Sequence, residues 1–184
     1  MTLLSVNVAR PATLKSRGRV FETGIFKEPV AGSRAVHRLG LAGDRQFNRK
    51  YHGGPRKAVY LYPHEHYAFW QERFPGRELP PGSFGENLTT TGLLETTVHE
   101  GDRLRIGTAM FEVTEPRMPC STLALKFERP DMVRLFTASR MSGFYLAVVE
   151  EGAVEAGLSI EVLPGPIRGA SIDETFGERS AARR

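Results

Sequence analysis

The residue best suited to chemistry is the only cysteine of the chain, Cys120. Pro116 and Pro119 stiffen the backbone ahead of Cys120, so the thiol is held rather than carried on a flexible loop. A short helix is predicted to begin near Ser121. This helix and the nearby Arg117 both favour the thiolate, the form that attacks electrophiles or binds metals. A lone cysteine is also commonly a small buried apolar side chain, so this segment alone leaves both interpretations open.

A second segment, residues 43–57, surrounds the adjacent glycines Gly53 and Gly54 with polar and basic side chains. These side chains are Asp44, Arg45, Gln46, Arg49, Lys50, His52, Arg56 and Lys57. Adjacent glycines permit positive φ angles and a close approach of backbone amides to a ligand, and the basic side chains supply charge for an anion such as phosphate. The spacing does not match a Walker phosphate loop, and a solvated polar turn is the alternative interpretation.

A third segment, residues 80–88, places a carboxylate and an amide beside flexible backbone. Gly82 and Gly85 lie on either side of Phe84, and Glu86 and Asn87 follow directly. This pattern is typical both of a binding loop and of a plain turn ahead of a strand. Both interpretations therefore stay open on the residues alone.

Other common catalytic patterns do not occur in the sequence. It contains neither the G-x-S-x-G turn of serine hydrolases nor the G-x-G-x-x-G turn of dinucleotide-binding folds. His64 and His66 are two positions apart, which directs them to different sides of a helix, and we assign them to a helix start at the surface. The histidines therefore predict no zinc site of the H-E-x-x-H kind.

Short apolar segments must position these residues, because glycines and prolines punctuate the chain at short intervals. With 19 glycines and 12 prolines among 184 residues, the sequence predicts many turns and a β-rich domain. Strands are expected at residues 3–8, 19–26, 35–39, 58–62, 103–106, 109–114, 143–149 and 159–163. The connection around Gly107 predicts a hairpin, since strand-like segments flank a tight turn.

Three segments predict helices instead. The first follows Pro63 and places aromatic residues on one face, which suits packing against the core. These residues are Tyr67, Trp70 and Phe74. Two short helices are expected at residues 121–127 and 131–139, with Asp131 placed to interact with the N-terminus of the second.

Length and composition describe one globular domain. A domain holds about 150 residues as a prior, and 184 residues with 40% hydrophobic side chains are enough to bury a core. No stretch reaches the roughly 18 apolar residues of a membrane span, and the N-terminal segment lacks the features of a signal peptide, so we expect a cytoplasmic protein. Residues from 165 onward lose periodicity, which predicts a short, irregular and flexible tail.

Charge and cysteine content exclude several classes of function. The chain has 25 Lys and Arg against 21 Asp and Glu, a formal net charge of +4. Without a basic helix or a stripe of interleaved aromatic residues, this small excess does not favour nucleic-acid binding. A single cysteine excludes an intramolecular disulfide and any metal site built from several thiolates. A metal site here would therefore use one thiolate.

Three motifs in order resemble the MOSC domain family, named for the molybdenum-cofactor sulfurase C-terminal domain. The first combines G-D-x-Q with H-G-G-P-x-K-A-V, the second is F-G-E-N-L-T-T-x-G-L, and the third joins G-D-x-L-x-I-G to P-R-x-P-C. Their parts begin at Gly43, His52, Phe84, Gly101 and Pro116. The chain is most similar to stand-alone bacterial members of the YiiM type. We therefore expect a MOSC domain over residues 1–164, followed by the tail over residues 165–184.

The resemblance implies a fold, a cofactor and a site. The family fold is a mainly β, barrel-like domain with a few short helices. Its cysteine aligns with Cys120 and is the protein ligand to molybdenum in members that bind the molybdenum cofactor. The resemblance implies that the phosphate of the pterin is held by Arg45, Lys57 and Arg117. It also implies that the same pocket contains Gln46, His52, Gly53, Gly54, Phe84, Gly85, Glu86 and Asn87.

The resemblance further implies an activity, the reduction of N-hydroxylated compounds such as hydroxylaminopurines to amines, with a role in detoxification. A reduced molybdenum centre accepts oxygen from an N–O bond, and Asp44 or His52 would supply protons. Electrons would come from a flavin or iron–sulfur protein, which relatives engage through a helical C-terminal region where this sequence has a short tail. Two alternatives stay open: sulfur transfer through a persulfide on Cys120, and a non-catalytic module that carries the cofactor.

Overall fold

Short strands dominate the structure, a computed structural model that describes residues 1–16, 18–47 and 53–182. Its strands are β1 (Thr2–Ala9), β2 (Ala12–Ser16), β3 (Arg19–Thr23), β4 (Lys27–Pro29), β5 (Arg34–His37), β6 (Gly40–Leu41), β7 (Val59–Pro63), β8 (Leu88–Thr91), β9 (Arg103–Ile106), β10 (Ala109–Pro116), β11 (Phe144–Glu150), β12 (Gly152–Val154) and β13 (Ile160–Leu163). Its helices are α1 (His66–Arg73), α2 (Ser121–Phe127), α3 (Met132–Ser139) and α4 (Ile172–Ala181), besides a 3-10 helix (Pro55–Lys57). Each predicted strand and helix overlaps an observed one, and the mainly β class is confirmed.

Eight strands form one curled, barrel-like sheet in the order β13-β9-β10-β11-β7-β8-β1-β4. Of these pairs, β7 and β8 run parallel, and β9 and β10 form the predicted antiparallel hairpin. The backbone N–H of Leu3 donates to the carbonyl of Leu158 at 2.9 Å, and the N–H of Gly157 donates to the carbonyl of Leu3 at 2.7 Å. These bonds join β1 to the segment before β13, so the curled sheet meets itself.

Two smaller sheets complete the strand structure. One contains β12, β5 and β6, and the other is the hairpin of β2 and β3. The short strands β2, β4, β6, β8 and β12 are absent from the sequence prediction. Each has only two to five residues. At this length a strand is hard to tell from an extended loop, although the predicted strands β5 and β9 are as short, with four residues each.

The strand β7 shows how the sheet supports two cores. Successive side chains of a strand point to opposite faces, and every residue of β7 is buried. Val59 and Leu61 belong to an aliphatic core, whereas Tyr60 and Tyr62 belong to a second cluster on the other face. This second cluster, here called the aromatic cluster, consists of Tyr60, Tyr62, Tyr67, Trp70, Phe74, Phe84, Leu123, Phe127, Met132, Phe136 and Tyr145.

The helices α1, α2 and α3 cover the aromatic cluster. The predicted stripe on α1 is confirmed, since Tyr67, Trp70 and Phe74 are all buried. The indole N–H of Trp70 donates to the hydroxyl of Tyr62 at 2.7 Å, so the buried polar ends of both rings are paired. Among the described helices, none is long and apolar enough to cross a membrane.

The prediction of an irregular tail is wrong for α4, which occupies most of that segment. A capping box begins the helix: the Ser171 hydroxyl accepts the Glu174 N–H at 3.2 Å, and the Glu174 carboxylate accepts the Ser171 N–H at 2.9 Å. Ile172 and Phe176 on the next turns are fully buried. The sequence signal for this helix was the spacing of the serine and the glutamate, which an argument from periodicity alone overlooks.

Two local predictions also need correction. His66 is buried, not at the surface, because its Nε2 lies 2.8 Å from a carboxylate oxygen of the distant Glu95. His64 is exposed, as expected. Asp131 flanks α3 but forms a two-point ion pair with the guanidinium of Arg129 at 2.9 Å, and its side chain makes no hydrogen bond to the helix N-terminus. A partner distant in sequence, Glu95, thus explains the burial of His66, whereas Asp131 pairs with a residue only two positions away.

Candidate functional site

The three chemistry-bearing segments of the sequence meet at one cavity of about 600 Å³. A volume of this size suits a small-molecule ligand or cofactor. The strands β7 and β11 supply one wall, and the segment that follows β3 supplies another. The predicted site residues that line the cavity are Asp44, Arg45, Gln46, Lys57, Phe84, Gly85, Asn87, Arg117 and Cys120.

Cys120 lies between the end of β10 and the start of α2. Its backbone is extended, with φ −137° and ψ 170°, and its carbonyl accepts the N–H of Leu123 at 3.0 Å. The residue is half-buried and lines the cavity together with Ser121 and Thr122. The alternative of a fully buried apolar cysteine therefore does not describe this structure.

Arg117 is the most unusual charged group of the cavity, because it is only 3% exposed. Its guanidinium lies 5.5 Å from the ring centre of Tyr60 and 5.3 Å from that of Phe136. Within the described residues, its Nη1 atom is buried without a hydrogen-bond partner. Burial disfavours the charge, but the neighbouring groups of Tyr60 and Cys120 outweigh this effect and raise the pKa of Arg117. The cavity thus has a permanent cation with a donor still available.

Two tyrosines beside Arg117 stay neutral. Burial raises the pKa of Tyr145 to about 12, and the nearby cation of Arg117 only partly offsets this effect. Burial likewise raises the pKa of Tyr60 well above its ordinary value, and the Tyr60 hydroxyl donates to the carbonyl of Ser142 at 2.8 Å. Both phenols therefore keep their protons at physiological pH and act as neutral, polarizable walls.

A buried ion pair of Lys27 and Asp44 forms another part of the wall. The Lys27 ammonium donates to Asp44 Oδ1 at 2.6 Å, and the two side chains are 8% and 4% exposed. Asp44 also accepts the backbone N–H of Ala9 at 2.7 Å and the side-chain amide of Asn87 at 2.9 Å. Burial lowers the pKa of Lys27, although Asp44 opposes that shift. The pair therefore holds a proton donor at the cavity wall.

Two further cations, Lys57 and Arg45, face the cavity from the second segment. Lys57 ends the 3-10 helix, and its ammonium lies 5.5 Å from the ring centre of Tyr145 and 3.6 Å from a carboxylate oxygen of Glu115. Arg45 is exposed and lies 4.8 Å above the ring of Phe47. With Arg117 and Lys27, these cations outnumber the two carboxylates of the lining, Asp44 and Glu22, so the described lining has a net positive charge.

Three of the predicted pocket residues are not brought to the cavity. Gly54 donates its N–H to the side-chain oxygen of Gln46 at 3.2 Å, and a Cβ atom on Gly53 would come within 2.4 Å of the same oxygen. The two glycines are thus explained by the close approach of Gln46 rather than of a ligand. Glu86 is fully buried behind the wall. His52, predicted as a proton donor and pocket residue, lies outside the described residues.

Glu86 organises the third segment from inside. Its carboxylate accepts the backbone N–H groups of Gly82 at 2.7 Å and Phe84 at 3.0 Å, and the hydroxyl of Thr89 at 2.9 Å. The hydroxyl of Tyr67 donates to the same carboxylate. Four donors satisfy this buried charge, so its role is to shape the loop that presents Phe84 and Gly85 to the cavity.

Several cavity residues escaped the sequence analysis. They are Phe21, Glu22, Thr23, Gly24, Ile25, Lys27, Phe47, Tyr60, Ser121, Thr122 and Tyr145. Tyr60 and Tyr145 lie in segments predicted as strands, and alternation alone does not show which face lines a cavity. Lys27 belongs to a three-residue edge strand outside every motif, so no local signal pointed to it.

The chain and its barrel-like fold correspond to a known family. The chain belongs to the MOSC domain family, whose profile matches residues 48–161. It is 43% identical over 171 residues to the uncharacterized protein YflK of Bacillus subtilis, covering 93% of this chain and 77% of that protein. A protein of Gibberella moniliformis named a reductase is 31% identical over 152 residues, which cover 81% of this chain but only 27% of that protein.

A solved structure supports the same assignment. The crystal structure of YiiM from Geobacillus stearothermophilus superposes with a TM-score of 0.81 at 36% identity. The match covers 99% of this chain and 85% of that one. The predicted family and its barrel-like fold are therefore confirmed.

Proposed function

We propose that this chain binds the molybdenum cofactor in the cavity through Cys120 and reduces N-hydroxylated compounds to amines. The observation that carries the proposal is the juxtaposition of Cys120 with Arg117, a buried cation whose Nη1 has no hydrogen-bond partner in the described part of the chain. Membership of the MOSC family supports the cofactor, and the name of the fungal relative supports a reductive activity. A buried, unsatisfied donor is costly unless a ligand accepts its hydrogen bond.

The donor set fits this cofactor. A thiolate is a suitable ligand for a metal that prefers sulfur, and the other sulfur ligands would come from the pterin. Arg117 would donate to a polar atom of the buried part of the cofactor, since its guanidinium is inaccessible to bulk water. Lys57 and Arg45 would hold the phosphate, because both are cavity cations and both retain some exposure.

The chain's own residues would bind the substrate and supply protons. Reduction of an N–O bond consumes two electrons and two protons and releases water with the amine. The bound cofactor would supply the electrons, delivered to it in turn by a flavin or iron–sulfur protein. We assign proton delivery to the pair of Lys27 and Asp44, because the Asp44 carboxylate already accepts three hydrogen bonds and Lys27 is the proton-bearing member. The aromatic ring of Phe21 would contact a planar substrate.

Metal and pterin content of the purified protein tests the proposal. The chain should be expressed in a host that makes the cofactor and isolated gently, beside Cys120→Ser and the control Thr122→Ser, which alters another cavity residue. We expect molybdenum and pterin in the wild type and in the control, and a loss of molybdenum of at least about tenfold in Cys120→Ser. If the purified wild type contained neither molybdenum nor pterin, this result would contradict the proposal.

Turnover separates the enzyme from its alternatives. The loaded wild type should convert 6-hydroxylaminopurine to adenine with a chemical reductant, whereas Cys120→Ser should not. A loaded protein without turnover would instead be a cofactor carrier. A cyanide-labile sulfur on Cys120, seen in the intact mass, would favour sulfur transfer.

A further inference from the structure

A row of three charged side chains connects the C-terminal helix to the cavity. Arg179 on α4 donates to Glu115 Oε2 through its Nη1 at 2.5 Å. The same carboxylate oxygen lies 3.6 Å from the ammonium of Lys57, which lines the cavity. Glu115 is only 15% exposed at its side chain, so solvent does little to screen it from either cation. Two cations therefore compete for one carboxylate oxygen, and Arg179 holds it more closely.

The cavity end of this row is firmly held. Thr114, next to Glu115 on β10, donates its hydroxyl to the carbonyl of Arg56 at 2.6 Å, and the Arg56 guanidinium donates back to the carbonyl of Thr114 at 3.3 Å. These bonds fix the 3-10 helix against β10 and leave Lys57 beside the ring of Tyr145. The ammonium of Lys57 therefore has a defined place at the wall rather than a free range in solvent.

The helical end is held as well. The capping box fixes the first turn of α4, and Ile172 and Phe176 bury its inner face. Asp173 forms a two-point ion pair with Arg140 at 2.8 and 2.6 Å. Arg179 follows on the buried side, seven residues after Ile172, where a helix brings it over the same face. The docking of α4 thus decides where the Arg179 guanidinium lies.

We propose that Arg179 is a positioning residue for the anion site of the cavity: by occupying Glu115, it leaves Lys57 available to an anionic ligand. The inference rests on the proposed function only for the identity of that anion, the cofactor phosphate. Arg179 also lies 3.8 Å from a carboxylate oxygen of Glu100. The net charge of this cluster predicts the direction in which each variant should change the affinity for an anion. Glu100, Glu115, Lys57 and Arg179 together have a net charge of zero, removal of Arg179 gives −1, and removal of both Arg179 and Glu115 restores zero.

Binding of inorganic pyrophosphate to the full chain, measured by calorimetry at several fixed chloride concentrations, tests this expectation. Arg179→Ala should raise the dissociation constant about twofold to fivefold, a change of the size measured for exposed ion pairs. Arg179→Ala combined with Glu115→Gln should return it to near the wild-type value, and Glu115→Gln alone should lower it. The differences should shrink as chloride rises, because they are electrostatic.

Matched variants separate this role from a structural one. Arg105 is also 40% exposed and paired with a glutamate, Glu150, but no ion pair joins Glu150 to a described cation of the cavity, so Arg105→Ala should leave the dissociation constant unchanged. Lys57→Ala should abolish the response to Arg179→Ala. If the double variant still binds pyrophosphate as weakly as Arg179→Ala does, displacement of α4 rather than charge explains the lost affinity, and the inference fails.

Other outcomes also decide the question. An unchanged dissociation constant in Arg179→Ala, or no binding of pyrophosphate by the wild type, would overturn the inference. Molybdenum and pterin content are measured separately, so the two proposals fail separately. A protein that shows the pyrophosphate pattern but contains no molybdenum would retain this anion site and lose the proposed function.

Discussion

Glu86 and Arg117 are both buried charged residues of the sequence motifs, yet the fold provides their hydrogen bonds very differently. Four donors from the same part of the structure converge on Glu86, from Gly82, Phe84, Thr89 and Tyr67. Arg117 is similarly inaccessible, but its Nη1 has no partner among the described residues, and its flanks are aromatic rings. One charge completes the protein's own structure, and the other is directed at the cavity.

The difference separates two kinds of motif residue. A buried carboxylate with all its hydrogen bonds made inside the protein stabilises a loop and has no capacity left for a ligand. A buried guanidinium with an unsatisfied donor carries an energetic penalty that a ligand relieves. Residues of the same motif set can therefore serve the fold or the ligand, and the hydrogen-bond count distinguishes them.

The largest expected effect on stability comes from Glu86→Ala. The variant leaves four buried donors without their acceptor, and we expect the free energy of unfolding to fall by about 3 to 5 kcal/mol. Chemical denaturation monitored by tryptophan fluorescence measures it, since Trp70 lies in the aromatic cluster. The exposed Glu78 is the matched control, and Glu78→Ala should change stability by less than about 0.5 kcal/mol. Equal effects of the two variants would break the comparison.

An intermediate effect on the free energy of unfolding is expected from pH, through Lys126, whose ammonium is influenced by the charges of both Glu86 and Arg117. Its ammonium donates to the carbonyls of Gly82 at 2.8 Å and Ile25 at 3.0 Å. Burial lowers its pKa to about 8, although Glu86 opposes the shift. Between that value and the ordinary 10.5, the unfolded chain binds a proton that the folded chain lacks, so this lysine makes stability rise with pH across the window.

Comparison with Lys126→Met isolates this contribution. The free energy of unfolding of the wild type, relative to that of the variant, should increase by about 2 kcal/mol between pH 8 and pH 10. Urea denaturation at a series of pH values provides the measurement. Lys15 is an exposed residue of strand β2, and the free energy of unfolding of Lys15→Met should depend on pH as that of the wild type does. If the free energy of unfolding of Lys126→Met also had the same pH dependence as that of the wild type, the expected titration of Lys126 would be contradicted.

The smallest effect on stability is expected from Arg117→Met, with a large effect on the cofactor. Methionine has a similar length, and it removes a buried charge that lacks one of its hydrogen bonds, so stability should change by no more than about 1 kcal/mol. Molybdenum and pterin content should nevertheless fall at least about tenfold if Arg117 serves the ligand. A destabilised variant that keeps its cofactor would reverse the roles assigned to Arg117 and Glu86.

Much of the framework was predictable because it follows from local pattern. The strand at residues 58–62, the aromatic stripe of α1, the hairpin at Gly107 and the helix at residues 121–127 all appear in the structure as expected. Local sterics and apolar periodicity decide these features within a few residues of chain. The helix α4 was also encoded locally, in its capping box, but a short helix with one buried face is easily mistaken for an irregular tail.

The sequence by itself determined the main strands, three of the helices, the family and most of the polar residues from which the site is drawn. Only the tertiary structure decided their roles: Lys27 joins the cavity by pairing with Asp44, Glu86 turns inward to its four donors, and Arg179 reaches Glu115 across 64 residues of chain. The reason is physical. The position of a backbone follows from nearby residues, whereas the state of a buried charge depends on partners that only the folded chain brings within hydrogen-bond distance.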